Sequence, residues 1–356
     1  MLQKVISEQD LFCTAEMMQF GDIHIKTDPA TGLRAIIAIH NTTLGPALGG
    51  CRFVPYQSAE DALLDAMRLA QGMSYKAAIS GIAHGGGKSV IVKPDVVLDR
   101  EKLFQSFGEF VDTLGGRYIT AVDSGSSVAD MDVIASKTRH VVSTSSRVGG
   151  KGDPSPYTAL GVLRGIQAGV LHRLGKESLE NVHVAIQGAG NVGYHLAKQL
   201  CALGAMITVC DSKDSATQQF ADEFGATVVS KESIYDVVCD VFSPCALGAI
   251  LDQGSVSRLK ATVVAGAANN QLASPEIAQH LFDRDILYAT DYVINAGGLI
   301  HVSLNDEALI ERKVNAIYDV LLDVFERSKN EKLPTSHVAD RIAQEIIDQA
   351  SPVFVG

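Results

Sequence analysis

Residues 182–193 have the sequence VHVAIQGAGNVG, in which a short apolar run leads into a glycine-rich turn. The run Val182–Ile186 is short and rich in β-branched residues, which predicts a buried strand. Tyr194–Leu203, after the turn, predicts a helix. The spacing of the turn is GxGxxG, with its glycines at Gly188, Gly190 and Gly193. A strand, this turn and a helix in that order are typical of a phosphate-binding βα junction.

A second apolar run ends at Asp211, 23 residues after Gly188, where dinucleotide-binding folds place an acidic residue. An aspartate there accepts hydrogen bonds from both adenine-ribose hydroxyls, and its charge repels a 2′-phosphate, so the sequence predicts NAD rather than NADP. Lys213 would soften this preference, unless it is a solvated loop lysine. The helix N-terminus would bind the phosphates. The turn residues predicted to contact NAD are Gly188, Ala189, Gly190, Asn191, Val192 and Gly193.

Short strands and helices alternate from about residue 150 onward, which is the pattern of a doubly wound parallel sheet. The turn-forming run DPSP at 153–156 marks a domain boundary and precedes a predicted helix over 158–174. We therefore predict an α/β protein of two domains. Residues 1–150 form a mixed-sheet α/β domain onto which helices of about 330–356 pack back, and residues 151–329 form a Rossmann-type domain. Further strands are predicted at 207–210, 226–229, 238–242 and 262–264.

Composition narrows the possible functions. The chain has 356 residues, 46% of them hydrophobic, with 41 acidic and 30 basic residues and a net charge of −11. Such a charge repels nucleic acid and anionic membranes unless the basic residues are clustered, and no such run occurs. We expect neither as a partner.

The six cysteines include no CxxC pair, which favours reduced core residues over a disulfide framework or a metal site. No metal is therefore expected. The first residues lack the apolar stretch of a signal peptide, and no run approaches the length of a membrane span. These patterns predict a cytoplasmic protein.

Two lysines, Lys76 and Lys88, flank a glycine run near the end of the first hundred residues. The segment AHGGG at 83–87 predicts an irregular turn, with a strand at 89–92. A phosphate loop does not fit, because its first glycine would have to replace Ile82 and a helix should follow. A lysine in apolar surroundings beside a second lysine is a candidate general base with a depressed pKa. A surface location of either lysine is the alternative.

Ten segments in order resemble the amino-acid dehydrogenases that include the glutamate, leucine, phenylalanine and valine enzymes, and most of all the leucine-specific ones. They include TTLGPALGG, GMSYK, GGGK and GAANNQL. The resemblance extends over nearly the whole chain and lies in residues 42–50, 72–76, 85–88, 116–121, 127–132, 153–156, 188–192, 244–248, 266–272 and 291–298.

The resemblance implies oxidative deamination of an L-amino acid with NAD. It implies that Lys76, the backbone of Gly50 and the side chain of Asn270 bind the substrate carboxylate. Lys88 would be the catalytic lysine that activates water, and Asp123 would carry protons to and from the amino group. The sequence departs from the leucine-specific pattern on either side of that aspartate, at Val122 and Ser124.

On the cofactor side the resemblance implies that Thr158 orients the nicotinamide amide and that Asn269 also contacts the cofactor. It further implies that the first domain binds substrate and builds a homo-oligomer, an octamer or a dimer.

Four residues match the wall of the side-chain pocket in this family: Leu48, Ala121, Leu299 and Val302. Glutamate is disfavoured as a substrate, because its second carboxylate would be buried without a partner beside Leu48 and Val302. The resemblance thus implies a branched-chain substrate, L-leucine and also isoleucine or valine. A valine- or phenylalanine-preferring dehydrogenase remains an alternative, as does an NAD-binding sensor without activity. Ordinary core packing is the alternative role of the four residues.

Overall fold

A computed structural model of the chain describes Ala15, Met18, Phe20 and residues 22–350, apart from Leu98 and Leu247. Cys13 and residues 351–356, the end of the predicted C-terminal helical segment, lie outside the described residues. The chain divides into two compact units, one of residues 1–152 and 343–356 and the other of residues 153–342. The last described helix, Thr335–Gln349, therefore contributes to both units.

The first unit is built on a mixed five-stranded sheet in the order β1-β2-β4-β3-β5. β1 pairs with β2, and β2 with β4, in antiparallel fashion, whereas β3 runs parallel to β4 and β5. The predicted mixed sheet is confirmed. The strands are β1 (Asp22–Asp28), β2 (Leu33–Asn41), β3 (Ala47–Val54), β4 (Gly85–Val92) and β5 (Tyr118–Val122), and the helices are α1 (Ala59–Ile79), α2 (Arg100–Asp112) and α3 (Val128–Ala135).

Helix α1 covers one face of this sheet. It begins after Ser58, whose hydroxyl accepts a hydrogen bond from the backbone N–H of Asp61 at 3.0 Å, as expected of an N-cap. Alanines and Met67 on its buried side pack on Ile36, Ala38 and Val90. The opposite face of the sheet packs its own apolar residues against α2 and α3.

The glycine run 85–87 is not the irregular turn that its composition predicts. These residues form the start of β4 and pair with both β2 and β3. Glycine is required there by packing, because a Cβ on Gly86 would lie 2.1 Å from the backbone nitrogen of Ser74 in α1. Local turn propensity is overridden by this close approach of helix and sheet.

The second unit contains a six-stranded parallel sheet in the order β11-β10-β9-β6-β7-β8. The predicted parallel, doubly wound fold is confirmed. Its strands are β6 (His183–Gln187), β7 (Met206–Cys210), β8 (Thr227–Val228), β9 (Val241–Pro244), β10 (Val263–Val264) and β11 (Leu287–Tyr288).

Within this sheet, β6 has β7 on one side and β9 on the other. Such a switch in strand order opens a crevice at the carboxyl ends of the strands, where nucleotides bind. None of the described helices is long and apolar enough to cross a bilayer. The helices are α4 (Ser155–Leu174), α5 (Asn191–Ala202), α6 (Asp214–Phe224), α7 (Gln253–Arg258), α8 (Glu276–Asp283), α9 (Asp291–Ile294), α10 (Gly297–Ser303), α11 (Glu307–Asn315), α12 (Ile317–Glu331) and α13 (Thr335–Gln349).

Candidate active site

Lys88 and Asp123 form a buried ion pair in the first unit. Lys88 lies in β4 with only 4% of its surface exposed, and its ammonium group donates a hydrogen bond to Oδ2 of Asp123. Lysine is rarely buried without a charged partner. The structure therefore brings the two predicted catalytic residues together, although they are 35 positions apart in sequence.

Asp123 directly follows β5 and is held in place by hydrogen bonds with Ser124 and Ser126. Its N–H donates to the hydroxyl of Ser126 at 2.9 Å, and that hydroxyl donates to the carbonyl of Cys51 at 2.7 Å. The backbone N–H of Ser124 donates to Oδ1 of Asp123 at 2.5 Å. Residue 124 therefore acts on the carboxylate through its main chain, so the departure from the family pattern at this position leaves the contact in place.

The charge state of Asp123 is set by opposing effects. Burial acts to raise the pKa of the carboxyl group, but the charges of Lys88 and Arg52 and the hydrogen bond from Lys88 outweigh it, so the pKa lies below its usual value. Asp123 is consequently a carboxylate at neutral pH.

Three other predicted substrate residues lie on the same sheet face as this pair. Leu48 pairs with Ile119 and Gly50 with Ala121 in the register of β3 and β5, and alternate residues of a strand share a face. A Cβ on Gly50 would lie 2.6 Å from Oδ2 of Asp123. Glycine at this position therefore leaves room for the carboxylate of Asp123.

Lys76, predicted to bind the substrate carboxylate, lies half-buried in the last turn of α1. That helix packs on the face that carries Lys88, closely enough to require Gly86. The first unit thus collects Leu48, Gly50, Lys76, Lys88, Ala121 and Asp123 on one side of its sheet.

The second unit has a cleft of about 590 Å³ at the predicted dinucleotide turn. It lies at the N-terminus of α5, which begins at Asn191, three residues before the predicted start at Tyr194. Backbone N–H groups and the helix dipole at such an end favour phosphate. The cleft is lined by Asp153, Ala189, Gly190, Asn191, Tyr194, His195, Asp211, Lys213, Ala216 and Gln219.

The three glycines of the turn have different structural roles. Gly188 has a φ of +112°, which side-chain-bearing residues rarely adopt. A Cβ on Gly193 would lie 2.2 Å from the carbonyl oxygen of Gly188, so this glycine is required for packing of the turn. A Cβ on Gly190 would meet nothing within 4 Å. The protein does not need glycine at 190 for its own packing, and the space is open to a pyrophosphate.

Asp211 is held at the end of β7. Its Oδ2 accepts from the N–H of Ala189 at 2.7 Å and its Oδ1 from the N–H of Lys213 at 2.9 Å. Burial acts to raise the pKa of this carboxyl group, but the hydrogen bonds that it accepts outweigh this effect, so the pKa lies below its usual value. The group is therefore negative at neutral pH, as discrimination against a 2′-phosphate requires. These residues fit NAD.

The remaining predicted contacts lie elsewhere in the second unit. Thr158, in the first turn of α4, is adjacent to Gly298, where a Cβ would lie 2.7 Å from its hydroxyl. Asn269 and Asn270 are exposed in the loop after β10. Leu299 and Val302 are half-buried, three residues apart on α10, and so lie on one side of that helix.

The loop that carries Asn269 and Asn270 is held by Asn295, a residue to which the sequence analysis gave no role. The amide nitrogen of Asn295 donates to Oδ1 of Asn269 at 2.7 Å and to the carbonyl of Ala267 at 3.0 Å. Asn270 has a φ of +50°, which asparagine tolerates better than most residues. In the part of the chain that the structure describes, no group of three or more His, Cys, Asp or Glu side chains is placed to hold a metal.

Two family models match the chain. The model for the Glu/Leu/Phe/Val dehydrogenase dimerisation domain matches residues 16–140, and the model for glutamate/leucine/phenylalanine/valine dehydrogenase matches residues 149–219 and 213–313. The chain belongs to this family of dehydrogenases. It is an NAD-dependent amino-acid dehydrogenase, as the motifs predict.

Relatives in the Glu/Leu/Phe/Val dehydrogenase family align over almost their full length. Leucine dehydrogenase of Geobacillus stearothermophilus is 45% identical over 95% of this chain and 94% of its own. Valine dehydrogenase of Streptomyces coelicolor is 44% identical over 91% of each chain. The solved structure of L-tryptophan dehydrogenase from Nostoc punctiforme has a TM-score of 0.85 and 40% identity, covering 96% of this chain and 99% of that one.

One charged residue beside the Lys88–Asp123 pair was missed by the sequence analysis. Arg52 lies in β3, two positions after Gly50, with its Nε 3.7 Å from Oδ1 of Asp123. The available signal was a single charge in an otherwise apolar or glycine strand, ALGGCRFV. Nothing in that pattern indicated which carboxylate the arginine faces, because the contact depends on the pairing of β3 with β5.

Proposed function

We propose that this dehydrogenase catalyses the oxidative deamination of branched-chain L-amino acids, with L-leucine as the main substrate and isoleucine and valine as others. An L-amino acid, NAD⁺ and water give a 2-oxo acid, ammonium, NADH and a proton. The observation that carries the proposal is the Lys88–Asp123 ion pair beside Gly50, on the sheet face that also carries Leu48 and Ala121.

Substrate would be held by its carboxylate. Lys76 provides a cation, and the backbone of Gly50 and the side-chain amide of Asn270 provide hydrogen bonds. A fixed carboxylate orients Cα, and such orientation lowers the entropic cost of reaching the transition state.

Lys88 and Asp123 would divide the proton transfers. After loss of hydride the substrate is an iminium. Lys88 passes its ammonium proton along its hydrogen bond to Oδ2 of Asp123 and, as a neutral amine, removes a proton from the water that adds to the iminium carbon. Asp123 then protonates the amino nitrogen. The hydroxyl proton passes through the Asp123 carboxylate to the departing ammonia as the carbonyl forms, and Asp123 returns to the carboxylate that its low pKa favours.

NAD, when bound, accepts the hydride from Cα. The backbone of residues 188–193 and the N-terminus of α5 would hold its pyrophosphate, and Asp211 its adenine ribose. Thr158 and Asn269 would contact the nicotinamide side. Tyr194, His195 and Lys213 also line the cleft, and none of them supplies a carboxylate that could replace Asp211 at the ribose.

The preference for an aliphatic side chain is supported by the pocket residues. Leu48 is 2% exposed, and Ala121, Leu299 and Val302 add only carbon, so a second substrate carboxylate would lose its solvation without a partner. Relatives named for leucine and valine match the chain at 45% and 44% identity. One methylene changes the preference by only about 1–3 kcal/mol, so the members of the branched-chain group should all react.

An aromatic substrate is the second candidate. The relative named for L-tryptophan is 40% identical and has a closely similar fold, and an apolar wall also accepts a ring. Phenylalanine and tryptophan therefore belong in the substrate panel.

We also propose that the protein is a cytoplasmic homo-oligomer, an octamer or a dimer. The family model that matches residues 16–140 is described as a dimerisation domain, which supports self-association through the first unit. Light scattering of the purified protein measures the number of subunits directly.

The decisive experiment is NADH formation, followed by absorbance at alkaline pH. Purified protein is offered NAD or NADP with leucine, isoleucine, valine, phenylalanine, tryptophan or glutamate. We expect rapid NADH formation with the branched-chain group, slower reaction with the aromatic pair and none with glutamate. Lack of reaction with every amino acid, while NADH still binds, would support an inactive sensor instead.

A further inference from the structure

A network of side chains extends from Asp123 away from Lys88 into the first unit. Arg52 approaches Oδ1 of Asp123 with its Nε at 3.7 Å. Its NH1 group donates to Oδ2 of Asp65 in α1 at 2.8 Å, and the hydroxyl of Tyr56 donates to the same oxygen at 2.5 Å. One arginine thus connects two carboxylates, one of which is in the active site.

The arginine is fixed at its far end. Only 21% of its side chain is exposed, and Asp65 receives two hydrogen bonds that hold it against the guanidinium. Charge-assisted hydrogen bonds of this type are among the stronger polar contacts in proteins. The guanidinium plane is therefore oriented by Asp65 and Tyr56, not by Asp123.

The Nε atom of Arg52 faces the carboxylate of Asp123. Among the described residues, the buried Nε of Arg52 has no hydrogen-bond partner. Oδ1 of Asp123 lies 3.7 Å from this Nε, and the other oxygen of Asp123 accepts from Lys88. A shift of less than 1 Å would convert the 3.7 Å ion pair into a hydrogen bond, whose usual length is about 2.9 Å.

We propose that Arg52 is a positioning residue that holds the Asp123 carboxylate with Oδ2 directed at Lys88 and keeps it ionised between proton transfers. Tyr56 and Asp65 fix Arg52 for this role. The proposal rests on the proposed function, because it assigns Arg52 to the proton transfers of Asp123 in that reaction.

The other titratable groups near Asp123 cannot supply this charge. Burial raises the pKa of Cys51 to about 12, and burial raises the pKa of Tyr118 above its usual range, so both are neutral at the pH of the assay. Lys88 contacts Oδ2 and takes part in the reaction. Arg52 is thus the permanent cation facing Oδ1 of Asp123, since guanidinium stays charged at all relevant pH values.

The test compares Arg52→Gln and Arg52→Lys with a control, Arg68→Gln. Arg68 is an exposed arginine on α1 that lines the same shallow cleft as Arg52 and Tyr56. In Arg52→Gln we expect kcat to fall about tenfold or more, as part of the about 10²–10⁴-fold that acid–base groups contribute. The acid limb of the pH profile should move up by about one unit, as expected when a cation within 4–6 Å of a carboxylate is removed.

Three further readouts separate positioning from a general structural loss. The KM of Arg52→Gln for NAD should equal that of the wild type. Arg52→Lys should recover part of kcat and shift the acid limb back toward that of the wild type. Arg68→Gln should match the wild type in kcat and in the position of the acid limb. If Arg52→Gln does not fold, Tyr56→Phe provides the test, because it removes one hydrogen bond to Asp65 and little volume. It should lower kcat severalfold and move the acid limb in the same direction.

Wild-type kcat and an unshifted acid limb in Arg52→Gln, or in Tyr56→Phe if it alone folds, would overturn the proposal. An equal loss in Arg68→Gln would do so too. Failure of the proposed function is a different result, because then the unmodified protein itself would form no NADH with any amino acid.

Discussion

The Lys88–Asp123 ion pair concentrates the proposed chemistry in two side chains. Lys88 is buried and Asp123 is half-buried, and each is the main partner of the other. Removing one leaves an uncompensated charge, which is costly in a site of low polarity. The consequences for activity and for folding therefore have to be measured separately.

For Lys88→Ala we expect loss of turnover by at least about 10²-fold, the lower limit for a general base, with NADH binding retained. The cofactor cleft lies wholly in residues 153–342, so the substitution should not reach it. Rates come from NADH absorbance and binding from NADH fluorescence. Lys102→Ala, which removes an exposed lysine of α2, is the matched control, and wild-type turnover in Lys88→Ala would disprove the role.

For Asp211→Ala we expect the affinity for NAD to fall and the affinity for NADP to fall far less or to rise. In the proposed role, the carboxylate would accept hydrogen bonds from the ribose hydroxyls of NAD and would repel the 2′-phosphate of NADP. Dissociation constants for both cofactors, measured by fluorescence titration, give the ratio. Asp214→Ala, in the first turn of α6, serves as the control, and an unchanged ratio in Asp211→Ala would exclude the ribose contact.

For single residues, the sequence indicates which side chains are candidates for catalysis, but it does not indicate which neighbouring residues hold them in place. Lys88 and Asp123 were predicted from their motifs, and β4 and β5 bring them into contact. Arg52 was not predicted, since its significance depends on a contact between strands far apart in sequence. Asn295 was missed for the same reason, because its amide acts on a loop 26 residues earlier.

The turn between β6 and α5 gives a prediction at the scale of elements. Gly190→Ala should leave the free energy of unfolding nearly unchanged, because the new methyl group has open space and the backbone is already extended. It should nevertheless weaken NAD binding by obstructing the pyrophosphate. Gly193→Ala should instead destabilise the fold, because its methyl group would overlap the carbonyl of Gly188.

Thermal unfolding and NADH titration of the two variants test this difference. Overpacking of a tight site costs about 1–3 kcal/mol, so Gly193→Ala should show a clear drop in Tm and Gly190→Ala should not. If Gly190→Ala bound NADH as tightly as the wild type, the pyrophosphate would not lie against this residue.

Element types followed from sequence patterns better than element limits. The strand predicted at 238–242 is observed at Val241–Pro244, and the helix predicted from Thr158 begins at Ser155. Both shifts are at ends, where local sequence is ambiguous and tertiary packing decides. The larger error was at 85–87, where glycine indicates a turn in isolation and a tightly packed strand in the folded chain.

The stability of the whole molecule should depend on pH through two half-buried histidines, His40 and His84. Burial lowers the pKa of His40 from 6.5 to about 4. The unfolded chain therefore binds a proton between these values and the folded chain does not, so stability is complete above pH 6.5 and declines as the pH falls toward 4. His84, whose pKa burial also lowers, acts in the same direction.

Urea denaturation between pH 7 and pH 4 measures this dependence. Replacing His40 with Gln should reduce the loss in the free energy of unfolding between pH 7 and pH 4 by an amount on the order of 1–3 kcal/mol. Replacing the exposed His337 with Gln should leave that loss unchanged. Curves of equal slope for His40→Gln and the wild type would show that this histidine does not contribute.

The crowded glycines of β3 and β4 limit how this enzyme can be altered. At residues 49, 85 and 86, an added Cβ would lie 1.6–2.1 Å from a backbone atom of a neighbouring segment, so a side chain there requires movement of the main chain. In directed-evolution libraries aimed at new substrates, variants at these three positions should mostly fail to fold correctly. Leu48 and Ala121, which we propose to contact the substrate side chain, already carry side chains and are better positions for diversity.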